Sequence, residues 1–284
     1  MSDLSLQATY INKKSKLKDI KRNISKNRYV YLLLFPAVAL TIVFNYCPMP
    51  GVYIAFLDYD IFKQFKSEFV GMDNFVKVFG DPSMLKSVAN TLVLSFTTLF
   101  FTFPAPIIFA LIINELQKGR FKKVVQTVSY LPNFLSWASI LAIFTSLLTL
   151  RGPVNEALVS MFGEGSRTFF LGEQRFVLPN IIIMTLWRNT GYSSILYLAA
   201  LTAIDPQLYE AATIDGAGRF KKMLHITLPG IKDTIIVLLI FAIGYIVNDN
   251  FELIYGLVHN NPFVDFRVIS YELYLRGIRN ANYS

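Results

Sequence analysis

The stretch VANTLVLSFTTLFFTFPAPIIFALII, residues 88–113, decides the fold class of this chain. It runs for 26 residues without one charged side chain. A helix needs about 20 mostly apolar residues to cross a hydrocarbon layer of about 30 Å, and apolar helices buried in soluble domains are usually shorter. The stretch therefore predicts a transmembrane helix.

Four further apolar stretches of comparable length lie along the chain. Together the five predict an all-α fold, a polytopic transmembrane helical bundle. The charged share of 16%, against about 25% in soluble domains, agrees with this class. The predicted spans are residues 29–47, 88–113, 132–150, 176–201 and 231–256. Helical spacing continues from Val268 to Ile278, so we expect a sixth span beyond residue 284.

The distribution of Lys and Arg predicts the orientation. The segments 1–28, 114–131 and 205–229 are basic, whereas the loops 52–87 and 151–175 balance bases with acids. Cytoplasmic loops carry the excess of positive charge, so the N-terminus is predicted to be cytoplasmic. Topology also accounts for the net charge of +8 without invoking nucleic acid.

Two parts of the chain are expected, a basic segment 1–28 and a membrane domain 29–284. In the basic segment, apolar residues at helical spacing among lysines predict a short helix on anionic lipid. The alternative is a disordered basic tail that only sets the topology.

The segment 205–229 interrupts the membrane pattern with a soluble-looking sequence. Asp205 and Pro206 predict the start of a helix, and Gly216 and Gly218 permit positive φ and end it. A second short helix follows up to Pro229. Such a pair suits docking into a groove of a partner, or else lies flat on lipid; the residues alone leave both open.

A motif within this segment resembles the EAA signature of ABC-importer permease subunits. The signature is E-A-A, three residues, G, nine residues, then I-x-L-P. In that family the segment is the coupling helix that docks on a cytoplasmic ATPase, and the resemblance extends that role to Asp215 and Gly218. The matching positions are Glu210, Ala211, Ala212, Gly216, Ile226, Leu228 and Pro229.

Longer stretches narrow the resemblance to the carbohydrate-uptake branch. LAALTAIDPQLYEAATIDGAGRF resembles maltose-type permeases, and NYCPMPGVYIAFLDY, TFPAPIIFALIINEL and VVQTVSYLPNFLSW resemble a subgroup for oligosaccharides and polysaccharide fragments. The resemblance implies a permease of the bacterial inner membrane that imports an oligosaccharide by alternating access. It also implies a second homologous permease, two ATPase subunits and an extracytoplasmic solute-binding protein as partners, within a lipid bilayer.

No nucleotide or metal site is evident in the sequence. It contains no G-x-x-x-x-G-K-[ST] motif and no Gly-Lys pair. The two histidines, His225 and His259, fall on opposite predicted sides of the membrane. We therefore expect no enzymatic activity and no cofactor in this chain, with ATP–Mg bound by the partner ATPase.

Polar residues inside the predicted spans mark a candidate substrate path, because they are costly in lipid and functional by default. At 1.5 Å per residue, Arg188 and Asp249 lie roughly 16 Å and 12 Å below the outer edge, which suggests an ion pair between them. The alternative is that the two side chains do not pair: each extends to a polar region separately, or Arg188 binds backbone carbonyl groups. The candidate path residues are Arg188, Asn189, Tyr192, Asn248, Asp249, Asn250 and Glu252.

Three alternatives stay open on the sequence. The first is an ABC permease for amino acids, peptides or phosphate. The second is a secondary transporter, which predicts inverted repeats and broken helices that the sequence does not indicate. The third is a membrane enzyme, which no cluster of nucleophile, base and metal ligands supports.

Overall fold

The computed structural model describes residues 26–116, 119–259 and 261–280, and the predicted surface helix of the leader lies outside these ranges. The chain divides into two compact units. Of the described residues, 26–77 belong to the first unit, and those from 78 to 280 belong to the second.

A long apolar helix dominates the described part of the first unit. Helix α1 (Arg28–Thr41) continues as a π-helical turn, Ile42–Tyr46, and a 3-10 segment, Met49–Phe56. Together they form a 29-residue candidate span whose most apolar window is 0% buried inside the chain. The exposed apolar side chains of this helix are suited to lipid or to another subunit. The first predicted span is confirmed as a helix and extends beyond residue 47.

A small hairpin follows this helix. Strands β1 (Leu57–Asp58) and β2 (Glu68–Phe69) pair in antiparallel register. Asn74, buried in helix α2 (Asp73–Gly80), donates its amide hydrogens to the carbonyl oxygens of Ala55 at 3.1 Å and Leu57 at 2.8 Å. These bonds fix the chain that leaves the long helix.

The second unit is a bundle of helices. Asp81 caps its first helix by accepting from the Ser83 N–H at 2.8 Å, and Pro82 occupies the first turn, where a missing N–H costs nothing. The helices up to the central one are α3 (Pro82–Thr102), α4 (Pro104–Glu115), α5 (Arg120–Tyr130), α6 (Trp137–Leu148), α7 (Pro153–Phe162) and α8 (Val177–Leu201).

The remaining helices follow α8 along the chain. Three short helices lie within the segment 205–229 or at its end: α9 (Pro206–Ile214), α10 (Arg219–Lys222) and α11 (Leu228–Gly230). The last ones are α12 (Lys232–Gly244), α13 (Phe251–Val258) and α14 (Ile269–Leu273), which continues as a π-helical segment, Tyr274–Arg279. The predicted helical spacing of this last segment is confirmed, with Val268 and Tyr271 buried in the core.

Helix α8 is the centre of the bundle. It packs against α3, α4, α5, α12 and α13. One apolar core gathers Trp137, Ile140, Met184, Leu253 and Ile254. A second core joins α4 to the end of α8 and includes Ala110, Leu111, Tyr197, Leu201 and Ile231. The buried polar side chains on α8, Asn180 and Ser194, are thus held between helices.

The predicted span 231–256 is broken, so the expectation that no helix is broken is wrong, and the predicted span 132–150 begins later, at Trp137. Between α5 and α6 the chain forms a 3-10 turn, Leu131–Phe134, where Pro132 lacks an N–H. Between α12 and α13 the break covers residues 245–250. Asn250 accepts from the Leu253 N–H at 3.2 Å and starts a new helix, because Asn and Asp side chains compete for backbone groups in the helix interior.

The helical membrane bundle is confirmed, although the spans differ from the five predicted. Within the part of the chain that the structure describes, three helices are long and apolar enough to cross a membrane, or up to four if a pair bent by 60° counts as one span. Helix α8 has the length, with 25 residues, but its polar side chains lower its hydropathy. The fifth predicted span, 231–256, is divided by the break at 245–250.

Candidate functional site

A polar cavity of about 370 Å³ lies inside the second unit. Its walls come from α3, α8, the start of α6 and the break between α12 and α13. The polar or aromatic side chains that line it are Ser95, Thr98, Thr102, Trp137, Thr185, Arg188, Asn189, Tyr245, Asn248, Asp249 and Asn250.

Two helices supply this lining through polar stripes. Ser95, Thr98 and Thr102 follow each other at i, i+3 and i+7 on α3, and such residues share one face of a helix. Thr185 and Arg188 share a face of α8 in the same way. Polar stripes that face inward keep hydroxyl, amide and guanidinium groups away from lipid.

The two helix breaks supply the rest of the lining. Ser136 accepts from the Ser139 N–H at 3.2 Å and starts α6, which puts Trp137 at the cavity wall. Next to it, the Asn133 amide donates to the Asn189 side-chain oxygen at 3.4 Å. Irregular backbone at membrane depth occurs where it is buried in protein or lines a cavity, and both breaks meet that condition.

Five of the seven predicted path residues line the cavity: Arg188, Asn189, Asn248, Asp249 and Asn250. Tyr192 lines a neighbouring, mainly apolar cavity of about 420 Å³, and its ring packs edge-on against Phe134. Glu252 is exposed and lines neither cavity.

The predicted ion pair between Arg188 and Asp249 is not formed. The Arg188 guanidinium carbon lies 4.5 Å from the centre of the Trp137 ring. The Asp249 carboxylate instead accepts from the Ser270 N–H at 3.3 Å. The prediction treated residues 231–256 as one straight helix, whereas the break at 245–250 turns the carboxylate towards the start of α14.

Sequence reasoning missed Trp137 and the stripe on α3. The stripe could have been noticed in the sequence, because it consists of three hydroxyl residues at helical spacing in a mostly apolar run. Ser and Thr carry little information in a membrane helix, because each can bond the carbonyl four residues earlier, as Thr185 does with Ile181 at 2.7 Å. Trp137 gave no signal in the sequence, because its place at the cavity depends on the 3-10 turn at Leu131–Phe134, which was not predicted.

The segment 205–229 forms the predicted helix–glycine turn–helix. Asp205 caps α9 by accepting from the Gln207 N–H at 2.9 Å. Gly216 has φ +74°, and the next residue, Ala217, donates its N–H to the Ala212 carbonyl at 2.8 Å, as in a helix C-cap. Gly218 has φ −69°, so only one of the two glycines uses the left-handed region.

Internal bonds hold the two arms of this segment together. The Tyr209 hydroxyl lies 3.0 Å from the Thr227 hydroxyl, and the Lys222 ammonium donates to Thr213 Oγ1 at 2.6 Å. The second arm runs from Arg219 through a π-helical turn, Met223–Thr227, to Gly230. It therefore continues past Pro229, the predicted boundary, and meets α12 at an angle of 60°.

The outer face of the segment exposes apolar and small side chains together. Ile214 is 87% exposed, Phe220 68% and Leu208 53%. Among the predicted coupling residues, those exposed are Glu210, Ala211, Asp215, Gly216, Gly218 and Pro229, while Ala212, Ile226 and Leu228 are half-buried. An exposed apolar face on an otherwise well-bonded segment is typical of a docking surface.

A charged cluster lies outside the predicted spans. Arg276 donates to Asp81 and to Ser83, and at 2.8 Å to the buried Glu272. The hydrogen bond from Arg276 lowers the pKa of Asp81 to about 2. In the described ranges no group of three or more His, Cys, Asp or Glu side chains could hold a metal ion.

The sequence matches a family over residues 78–255, described as binding-protein-dependent transport system inner membrane component. Two relatives from Bacillus subtilis (strain 168) are similar over most of the chain. The polygalacturonan/rhamnogalacturonan transport system permease protein YteP is 40% identical over 96% of this chain and 85% of its own length. Protein LplB is 41% identical over 92% of this chain and 82% of its own length.

Two solved structures have the same fold. One is a bacterial ABC transporter involved in the import of the acidic polysaccharide alginate, with a TM-score of 0.83 and 35% identity over 93% of this chain and 89% of that one. The other is a bacterial alginate ABC transporter in complex with an alginate pentasaccharide-bound periplasmic protein, with a TM-score of 0.81 and 36% identity, covering 92% of this chain and 87% of that one.

Proposed function

The chain belongs to the family of binding-protein-dependent transport system inner membrane components, and on that premise we propose that it carries an oligosaccharide through its polar cavity. It is a multi-pass membrane permease of a sugar importer. The relatives named for saccharide transport support an oligosaccharide as the solute. Family membership also sets aside the secondary transporter, although broken helices are present.

The observation that carries the proposal is a cavity lined with hydroxyl, amide and charged groups inside an apolar bundle. Polar lining in the middle of a membrane domain is costly unless water or a polar solute uses it. Hydroxyl and amide groups match the donors and acceptors of a sugar. All of the lining residues belong to the second unit. The helix breaks add irregular backbone to the cavity wall.

The segment 205–229 is proposed to couple the permease to a separate ATPase. Its exposed apolar face supports this role, and so does the lack of a phosphate-binding Gly-Lys motif in the sequence. The partner ATPase binds ATP–Mg, and two copies serve the two permeases. The coupling residues are Glu210, Ala211, Ala212, Asp215, Gly216, Gly218, Ile226, Leu228 and Pro229.

The remaining partners and the orientation complete the proposal. The excess of Lys and Arg in segments 1–28, 114–131 and 205–229 supports a cytoplasmic N-terminus. A second, homologous permease pairs with this chain, and an extracytoplasmic binding protein delivers the solute, as the complex of the alginate importer supports. The membrane domain covers residues 29–284 and the basic segment residues 1–28.

Co-purification with the ATPase tests the coupling role. Glu210→Ala removes an exposed carboxylate, and Gly216→Ala strains a turn whose φ is +74°. Gly165→Ala is the matched control, because this glycine lies outside the segment, its φ is not in the left-handed region, and a Cβ there meets nothing within 4 Å. We expect the first two variants to lose ATPase and the control to retain it. If Glu210→Ala and Gly216→Ala both recovered as much ATPase as wild type, the coupling role would be wrong.

A further inference from the structure

Arg188 is a cation without an anionic partner in the interior of the bundle. Among the residues that the structure describes, no hydrogen bond and no ion pair to Arg188 is formed, and its Nε is buried. Its contact is with the face of the Trp137 ring, at 4.5 Å. Contact with a ring face does not occupy the guanidinium N–H groups, so these remain available to a ligand.

A second orphaned atom lines the same cavity. Thr98 Oγ1 is also buried without a hydrogen-bond partner. Leaving buried polar atoms unpaired costs free energy, and most such atoms in native structures have a partner. Two unpaired polar atoms on residues that line one cavity are consistent with a polar ligand that binds there.

The carboxylate of Asp249 does not neutralise the cation. Asp249 is the acidic side chain in the cavity lining, and it accepts the Ser270 N–H at 3.3 Å. It places one negative charge in the same lining as the one positive charge of Arg188. Arg188 therefore keeps its N–H donors for a ligand, and a planar carboxylate can accept from two of them at once.

We propose that Arg188 binds the carboxylate of a uronic-acid residue, so that the imported saccharide is acidic. The inference rests on the proposed function and names the substrate class of its cavity. A guanidinium presents parallel N–H donors that match both oxygens of a carboxylate. Trp137 holds the guanidinium in position, and Thr98 and Asn189 offer bonds to the hydroxyl groups of the same sugar.

The test compares trigalacturonate with its fully methyl-esterified form, in which a neutral ester replaces each carboxylate on the same sugar backbone. Uptake is measured in proteoliposomes that hold the permease pair, the ATPase and the binding protein. The binding protein is the same in every sample, so its own preference cancels when variants are compared. The variants are Arg188→Gln, which removes the charge, and Arg188→Lys, which keeps the charge without the planar donor pair.

With Arg188→Gln we expect uptake of trigalacturonate to fall roughly 10- to 100-fold, since a hydrogen bond to a charged group contributes about 1.5–3 kcal/mol. Uptake of the ester should stay within about twofold of wild type, and Arg188→Lys should give an intermediate loss of the acid. Arg151→Gln, which removes a positive charge from an exposed side chain outside the cavity, is the control and should leave the preference for the acid intact.

The outcomes separate the two proposals. An unchanged ratio of acid to ester uptake in Arg188→Gln, or an equal loss of both sugars, overturns the inference and leaves saccharide import standing. If Arg188→Gln fails to assemble, the ratio in Arg188→Lys decides in the same way. If wild type takes up a neutral oligosaccharide but neither of these two sugars, the inference is overturned and saccharide import stands. If it takes up no saccharide with ATP and binding protein present, the proposed function fails and the inference with it.

Discussion

The polar cavity and the segment 205–229 are built in opposite ways. The cavity takes its lining from residues as distant as Ser95 and Asn250, and each is held by packing between helices. The segment is 25 consecutive residues, bonded mainly to itself and exposed on its outer face. The cavity therefore depends on the tertiary fold of the chain, whereas the segment depends on local rules.

This difference predicts where mutations act. A change beside the cavity disturbs helix packing and should lower the stability of the chain itself. A change on the outer face of the segment touches few residues of this chain and should only weaken its assembly with the ATPase. The predictions below test that division, beginning with the largest expected effect.

Gly191→Ala should be the most damaging single change. Gly191 is buried on α8, and a Cβ there would collide with the Ser129 backbone carbonyl of α5. Overpacking of this kind costs about 1–3 kcal/mol, occasionally more. Thermal unfolding of the purified permease pair in detergent should show a clear loss. Gly244→Ala is the control, because a Cβ at this last residue of α12 meets nothing within 4 Å. Equal stability of both variants would contradict the close packing of α5 and α8.

Ile214→Asp should abolish ATPase binding without unfolding the chain. The side chain is 87% exposed, so a surface substitution there costs no more than about 0.5 kcal/mol. Co-purification of the ATPase should fall at least about tenfold. Phe62→Asp, at a side chain that is 96% exposed in the loop between β1 and β2, is the control and should bind ATPase normally. A large drop in the melting temperature of Ile214→Asp would place the residue in the fold rather than in an interface.

Asp249→Asn should leave the stability of the chain nearly unchanged. The Asn side-chain oxygen can still accept the Ser270 N–H, and no ion pair with Arg188 is lost. Exchanging the two charges, with Arg188→Asp and Asp249→Arg combined, should not rescue the single reversals. Recovery of assembly in the double variant would mean that Arg188 and Asp249 do form an ion pair, contrary to the structure.

The pH dependence of stability should be the smallest effect. The pKa of Asp81 is lowered from 3.8 to about 2 by Arg276. A lowered pKa in the folded state stabilises it above the unfolded-state value, and the contribution is lost as the pH falls from about 4 to about 2. The melting temperature of wild type should therefore fall more steeply below pH 4 than the melting temperature of Asp81→Asn. Parallel curves for the two proteins would mean that the Arg276 contact contributes nothing.

The sequence was sufficient where local chemistry decides the structure. The helical bundle follows from the long apolar runs, and the turn of the segment 205–229 follows from Asp205 and Gly216. Arg188 and Asp249 were recognised because charges are costly in a membrane. These features depend on a few neighbouring residues, so a single sequence contains them.

The sequence was insufficient where several segments meet. The break at 245–250 could be read only in part from its Asn and Asp residues, since their competition with the helix depends on what they bond to. That break turned Asp249 away from Arg188, and the depth comparison, which assumed a straight helix, could not include it. The place of Trp137 next to the guanidinium depends on the break after Pro132 and on packing against α8.

The most direct test of the account is ATP-driven uptake of a labelled oligosaccharide into proteoliposomes that hold this permease, its permease partner, the ATPase and the binding protein. Wild type should accumulate the sugar only with ATP and the binding protein present. Ile214→Asp should accumulate none, although its permease pair remains folded. Accumulation by Ile214→Asp at the wild-type rate would contradict the claim that segment 205–229 couples ATP hydrolysis to the cavity.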